Sequence, residues 1–331
     1  MAGLSKTELF EIVVAAVGES GWNVLYIAPS STHPFQLQIY RGDEGYRLRI
    51  YIWTLTHGGG RNRPADEYRI QITGVQQIQT FPGERTLLLG WWEQEGVFAG
   101  FDARKHSGLL GQSPSIQIRR PCLEQAQAAG FSPCDKGNQE IAIAFRPDFF
   151  AEYVRQLEPL HDFGQSPEAF EVLSDLPQHP VINDDAITNL DTNRRRTVVS
   201  VSRRLRNNDF RKRVLNAYVQ RCAICGVQLK LIDAAHIVPV NHDQSTDETR
   251  NGLALCALHH RAYDQALLTV NESYTVVFNE SQADELDRLG LAGGVTRFRE
   301  NLRSEILVPE VISERPHVEY IRLANRIRGW P

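Results

Sequence analysis

Two chelating motifs constrain this chain more than anything else in it. Cys222-Ala-Ile-Cys225 is followed later by Cys256-Ala-Leu-His259. Three thiolates and one imidazole at these spacings suit a tetrahedral Zn²⁺ in a closed structural site. The other two cysteines, Cys122 and Cys134, lie in the first half. An odd count with one tight pair points to a metal rather than a disulfide framework. The N-terminus shows no charged-then-apolar leader, so all five cysteines are expected to be reduced, in a cytoplasmic protein.

A chain of 331 residues is expected to form two domains, each long enough to bury a core. It is 42% hydrophobic and 23% charged, which excludes a disordered, collagen-like or small disulfide-bonded class. No apolar run is long enough for a membrane span. The formal net charge of −4 hides an uneven distribution. From Arg194 to Asp264 there are thirteen Lys or Arg against six Asp or Glu, a local +7 that leaves −11 for the rest. A basic zone in an acidic protein reads as a polyanion-binding segment, with a solvated helix face as the competing reading.

Along the chain, residues 6–20 read as a helix closed by Gly21. Segments 35–40, 46–53, 68–73, 115–119 and 140–145 alternate with period two and read as strands, and Gly58 to Gly60 break the series. Thr86–Trp92 and Val97–Asp102 read as a hairpin across Glu93-Gln-Glu-Gly96. So many short strands predict a curved sheet or barrel. Residues 147–157 look helical. A stretch rich in Pro, Asp, Asn and Gln follows and reads as a connection. Asp209–Gln220 reads as a helix carrying Arg211, Lys212 and Arg213, and the tail from 281 as helical with a Pro-containing break. The expected division is a domain over 1–158, a linker over 159–193 and a second domain over 194–331.

Around the cysteines stand Ala234-Ala-His236-Ile, Asn251-Gly252 and His259-His260-Arg-Ala-Tyr-Asp264. Here the sequence resembles the HNH (ββα-metal) nuclease family over about residues 210–280. The resemblance implies that His236 is the general base, that Asn251 fixes the loop and orients it, and that His260 and Asp264 hold Mg²⁺ or another divalent metal. Their i, i+4 spacing puts both on one helix face. Imidazole suits proton removal near neutral pH. Arg203, Arg204, Arg211, Lys212 and Arg261 are the candidate contacts to flanking phosphates. Many members carry a His or Asp just before the base; here it is Ala235, which leaves the metal shell incomplete. Asp233 is an extra-ligand candidate, with a structural role favoured by strand alternation. His242 reads as an exposed loop residue. His259 is assigned to zinc because it completes Cys-x-x-His, though adjacent histidines can exchange roles.

Arg63-Pro-Ala-Asp-Glu-Tyr-Arg-Ile-Gln-Ile-Thr-Gly74, Leu87-Leu-Leu-Gly-Trp-Trp92, Gly100-Phe-Asp-Ala-Arg-Lys-His106, Ser113-Pro-Ser-Ile-Gln117 and Phe145-Arg-Pro-Asp-Phe149 are similar to the N-terminal domain of the MspJI/AspBHI-type modification-dependent restriction enzymes. The likeness stops near residue 155. It implies an SRA-like domain that binds a flipped 5-methylcytosine. A flipped base needs aromatic walls and a carboxylate for the cytosine amino group. Asp102 is the carboxylate chosen, with Trp91, Trp92 and Phe101 as walls and Gln36 reading the base edge. Arg104, Lys105 and His106 are candidate backbone clamps. Strand alternation sets Phe101 and Asp102 on opposite faces unless a bulge intervenes.

The expectation is therefore an α+β chain, with an N-terminal SRA-like β-barrel and a C-terminal ββα-metal (HNH) domain holding a structural zinc and flanked by helices. Its expected role is modification-dependent restriction of double-stranded DNA carrying 5-methylcytosine or 5-hydroxymethylcytosine. Paired cuts imply a homodimer or two independent nicks. Two readings compete: an HNH nuclease that reads an unmodified sequence or a phosphorothioate, and a non-cleaving DNA-binding protein with a degenerate HNH fold.

Overall fold

Ser5 starts the first helix, α1 (Lys6–Glu19), through a reciprocal cap. Its hydroxyl accepts from the Glu8 N–H at 3.3 Å, and the Glu8 carboxylate accepts from the Ser5 N–H at 2.7 Å. The computed structural model describes residues 4–27, 31–57 and 64–330. The predicted glycine break at 58–60, Arg63 and the first three residues lie outside the described residues. The chain divides into two units, Met1–Leu205 and Arg206–Pro331.

The first unit carries β1 (Asn23–Tyr26), β2 (Phe35–Arg41), β3 (Glu44–Thr54), β4 (Thr56–His57), β5 (Glu67–Gln71), β6 (Gln77–Ile78), β7 (Arg85–Trp92), β8 (Val97–Phe101), β9 (Gly108–Leu109), β10 (Ser115–Arg119), β11 (Phe131–Gly137) and β12 (Glu140–Phe145). Helix α2 (Arg120–Ala129) precedes β11. After β12 come α3 (Phe150–Arg155), α4 (Leu157–Asp162), α5 (Pro167–Asp175), α6 (Asp184–Ile187) and the long α7 (Thr192–Ala217), which runs across the unit boundary.

The expected barrel is corrected to an open sheet of seven strands in the order β1-β2-β3-β7-β8-β12-β11. After β3 the chain leaves the sheet to form β4 and β5 and returns as β7 parallel to β3; β10 joins β5 later to complete a second sheet in the order β10-β5-β4. Strands β1 and β11 remain as edges. The physical reason lies in β7, whose residues Thr86 to Trp92 are all buried, so both of its faces are covered. Leu87, Leu89, Ile143 and Phe145 face a core shared with Val13 and Val17 of α1. Leu88, Trp92, Ala142 and Ala144 face the opposite core, against Ile70 and Ile116 of the second sheet and Leu123 of α2. At about 1.5–3 kcal/mol for each large apolar side chain removed from water, these two layers dominate the unit.

The stretch 159–193, read from composition as a linker, belongs to the first core. Leu160, Phe163, Leu173 and Ile187 are buried in it. Their spacing was diluted by Pro and Asn and hid the packing. Cys122 and Cys134, expected as thiols, form a disulfide between α2 and β11, since the fold brings their Cα atoms to 5.8 Å.

The second unit holds β13 (Ile232–His236) antiparallel to β14 (Gly252–Cys256), then α8 (Ala257–Asp264), the hairpin β15 (Leu268–Val270) and β16 (Val276–Phe278), and α9 (Glu280–Arg288), α10 (Val295–Glu300) and α11 (Val318–Ile327). Gly252 is required where β14 crosses α7. A Cβ there would lie 2.3 Å from Val214 Cγ2 and 3.0 Å from Phe210 Cζ. Among the described residues, no helix is long and apolar enough to cross a membrane.

Candidate functional site

The β13–β14 pair and α8 gather the motif residues of the second unit. Cys222 and Cys225 sit on a tight turn. The Gly226 N–H returns to the Cys222 carbonyl at 2.8 Å, and Gly226 holds the left-handed φ of 77° that the turn needs. Cys256 ends β14 and caps α8, and His259 lies one turn further on. The four ligand atoms lie within 4.8 Å of one another. His259 Nδ1 is 3.5 Å from Cys222 Sγ and 3.3 Å from Cys256 Sγ, and Cys225 Sγ is 4.0 Å from Cys256 Sγ. Tetrahedral Zn–S and Zn–N bonds place neighbouring donors about 3.5–3.8 Å apart, so this Cys₃His group fits a zinc ion. The ring that joins the sulfurs is His259 and not His260. One residue along a helix turns the side chain by about 100°, which leaves His259 buried and His260 half-buried on another face.

His236 ends β13 opposite Gly252. Its ring stacks on Phe210 of α7, centroids 3.8 Å apart at 15°. Nε2 lies 3.1 Å from Asp247 Oδ1. Burial lowers the pKa of His236 against the opposing pull of Asp247, and the charge of His260 lowers it further. Burial thus favours the neutral imidazole. Asn251 is fully buried and ties the loop between β13 and β14. Its Oδ1 accepts from the Val238 N–H at 2.9 Å, its Nδ2 donates to the Thr246 carbonyl at 2.7 Å, and its own carbonyl accepts from Ile237 at 2.8 Å. It fixes the loop, while the direct partner of His236 is Asp247. Sequence reading missed Asp247 because it is one acid among several in a polar turn. The signal that could have found it is the need of a working histidine for a carboxylate partner. Phe210 was missed as an ordinary helix residue.

His260 Nε2 and Asp264 Oδ2 are 3.7 Å apart on α8. No third His, Cys, Asp or Glu joins them to make a cluster among the described residues. The pair offers one imidazole nitrogen and one carboxylate oxygen as candidate ligands for a divalent metal. Asp233 points away and pairs with Arg211 Nε at 2.7 Å. His242 is half-buried in the loop, and its Nδ1 accepts from the Gln244 N–H at 3.2 Å.

The basic candidates separate. Arg203, Lys212 and Arg261 are exposed. Arg211 is exposed but engaged by Asp233. Arg204 donates to the backbone carbonyls of Ser20 and Asp148, so it ties elements of the first unit together. Lys105 donates to the Asn138 and Gln139 carbonyls at 3.3 and 2.5 Å, and His106 Nε2 lies 2.8 Å from Glu140.

In the first unit Asp102 shares no cavity with Trp91, Trp92, Phe101 or Gln36. Trp91 belongs to one core, and Trp92 and Phe101 to the other. Gln36 pairs with Arg49 across β2 and β3. Trp91 thus lies on the opposite side of the sheet from Trp92 and Phe101, and none of the three lines the cavity at Asp102. Asp102 instead lines a cavity of about 290 Å³ with Phe81, Thr86, Arg104, Leu157 and His161. Burial would raise the Asp102 pKa, but Arg104 and the nearby His161 lower it, so it stays a carboxylate. Arg104 grips it from Nε and Nη2, both at 2.9 Å, and also reaches Asp162 at 2.7 Å. His161 donates from Nδ1 to the Ile141 carbonyl and accepts the Tyr153 hydroxyl at Nε2, both at 3.0 Å. Burial brings its pKa down to about 4. Phe81 and His161 come from separate elements, and no local pattern marked them.

Comparisons with known proteins match one family model within each unit. Residues 222–271 match the family model "HNH endonuclease", and residues 46–154 match "Methylase-associated X1". A comparison with curated proteins finds no match. Among solved structures, one described as "Modification dependent TagI restriction endonuclease" superposes with a TM-score of 0.30 at 13% identity, over 85% of this chain and 81% of that one. That likeness assigns neither fold nor activity. Residues 222–271 thus form an HNH endonuclease domain, and residues 46–154 ahead of them a Methylase-associated X1 domain.

Proposed function

We propose that this chain is a modification-dependent restriction endonuclease. Its first unit holds a flipped 5-methylcytosine or 5-hydroxymethylcytosine, and its second hydrolyses the phosphodiester backbone of double-stranded DNA. The observation that carries the nuclease reading is His236: a neutral, half-buried imidazole at a strand end, anchored through one nitrogen beside the His260 helix. It takes the proton from the attacking water. Asn251 keeps the loop that presents it. His260 and Asp264 would hold a divalent metal, which when bound supplies charge neutralisation at the scissile phosphate. Cys222, Cys225, Cys256 and His259 would hold a zinc ion that supplies a folding cross-link.

For the reader, the support is the cavity at Asp102. Its volume sits at the low end for small-molecule sites, which suits one planar heterocycle. The Asp102 carboxylate accepts from the cytosine amino group, and Phe81 and Leu157 offer apolar surface. A homodimer would supply the second active site for paired cuts. The test is cleavage of matched plasmids, unmethylated and 5-methylcytosine-containing, with Mg²⁺ or Mn²⁺. Cutting of the methylated plasmid alone is expected. Equal cutting would replace this reader with one for an unmodified sequence or a phosphorothioate. No cutting of either, with DNA still bound, would leave a DNA-binding protein.

A further inference from the structure

A proton-transferring imidazole works only if the right nitrogen carries the lone pair. His236 Nε2 faces Asp247 Oδ1 at 3.1 Å. An ionised carboxylate only accepts, so in the neutral ring Nε2 carries the hydrogen and Nδ1 the lone pair. No hydrogen-bond partner for Nδ1 is found among the described residues.

Asp247 is itself held. Arg206 Nη1 reaches its other carboxylate oxygen at 3.3 Å, and Arg213 Nη2 donates to its backbone carbonyl at 2.6 Å. Its neighbour Thr246 is fastened on both sides: the carbonyl accepts from Asn251 Nδ2, and the hydroxyl lies 2.8 Å from that of Tyr320. Phe210 supports the face of the imidazole, so the ring cannot tilt away from the carboxylate without losing the stack. Arg206, Phe210 and Arg213 all come from α7. The helix thus builds one support for both the ring and its carboxylate.

We propose that Asp247 is a positioning residue that fixes His236 in the Nε2–H tautomer and leaves Nδ1 as its basic nitrogen. The proposal rests on reading His236 as the general base. Asp247 touches neither water nor phosphate in this role; it acts through the imidazole. The alternative job for a carboxylate here is to complete the metal shell left short at Ala235.

The test is a long-range ¹H–¹⁵N spectrum of the full chain labelled at histidine, at pH 7.5. The His236 signal is identified by its loss in His236→Ala. The wild type is expected to show Nε2–H. Asp247→Asn is expected to show mixed or reversed tautomers and single-turnover cleavage slowed about 10²–10⁴-fold, with DNA affinity within about twofold. A wild-type ring protonated at Nδ1 would overturn the proposal without any variant. So would an Asp247→Asn protein that keeps the tautomer, whatever its rate, because a lost metal ligand slows cleavage without moving that signal. The spectra decide this point whether or not the chain cuts the DNA offered, so failure of the nuclease reading and failure of this one are separately visible.

Discussion

Each unit sets a carboxylate near a histidine, and the two arrangements do opposite things. In the first, Asp102 is gripped by Arg104, and both nitrogens of His161 are spent, on the Ile141 carbonyl and the Tyr153 hydroxyl. Neither side chain can exchange a proton without breaking a buried bond, so the pair is a fixed polar lining. In the second, Asp247 bonds to His236 directly and engages one nitrogen only. The imidazole is held as firmly, yet keeps a lone pair. On the proposed reading, what separates the recognition surface from the proton-transfer site is how many of the histidine's valences the fold consumes.

The comparison breaks first at His236. His236→Ala is expected to lower single-turnover cleavage at least about 10³-fold and leave DNA binding intact. Loss of binding and cleavage together would move His236 from the reaction into the folding of the second unit. His161→Ala should instead lower thermal stability and binding of modified DNA, with the cleavage rate at saturating DNA unchanged.

The units also differ in what holds them together. Two apolar layers hold the first unit, whereas the core of the second unit includes residues of the Cys₃His group. Cys256→Ser, or a strong chelator, is expected to release about one zinc per chain and unfold the second unit only. Calorimetry should then show one transition lost and one kept. Two intact transitions after complete zinc removal would reduce the cluster to a packing feature.

These contrasts track what the sequence made legible. Zinc ligands, His236, Asn251, His260 and Asp264 lie within about forty residues; spacing groups the four zinc ligands, and the resemblance to the HNH family picks out the other four. The strands of the first unit were readable for the same reason, since alternation is local. Their closure was not. The parallel pairing of β3 with β7 and the open edges depend on partners far apart in sequence. The cavity failed likewise. Trp91 and Trp92 are adjacent in the chain but enter opposite cores, while Phe81 and His161, distant in the chain, line one cavity with Asp102.

A sharper probe of the reader is therefore Asp102→Asn against Trp92→Phe. The first removes a charged acceptor from the cavity, a loss of about 1.5–3 kcal/mol for a charge-assisted bond, or roughly ten- to a hundredfold in affinity for modified over unmodified DNA. The second should lower thermal stability and leave that ratio alone, because Trp92 packs in a core. If Trp92→Phe erased discrimination, the base would have to bind on the other face of the sheet.

The smallest effects concern the basic zone, where charge alone made Arg204 and Lys212 equivalent. Arg204 spends its guanidinium on two backbone carbonyls of the first unit, while the Lys212 ammonium is exposed. Only the second is free to displace counterions from a phosphate. Lys212→Ala should weaken DNA binding a few-fold and reduce the slope of log affinity against log salt by about one, independently of methylation. Arg204→Ala should leave the slope unchanged and lower the melting temperature of the first unit, since two part-buried carbonyls lose their donor. Equal slopes for both variants would mean that the helix bearing Lys212 is not on the DNA path, and that the positive charge between Arg194 and Asp264 serves the fold rather than the substrate.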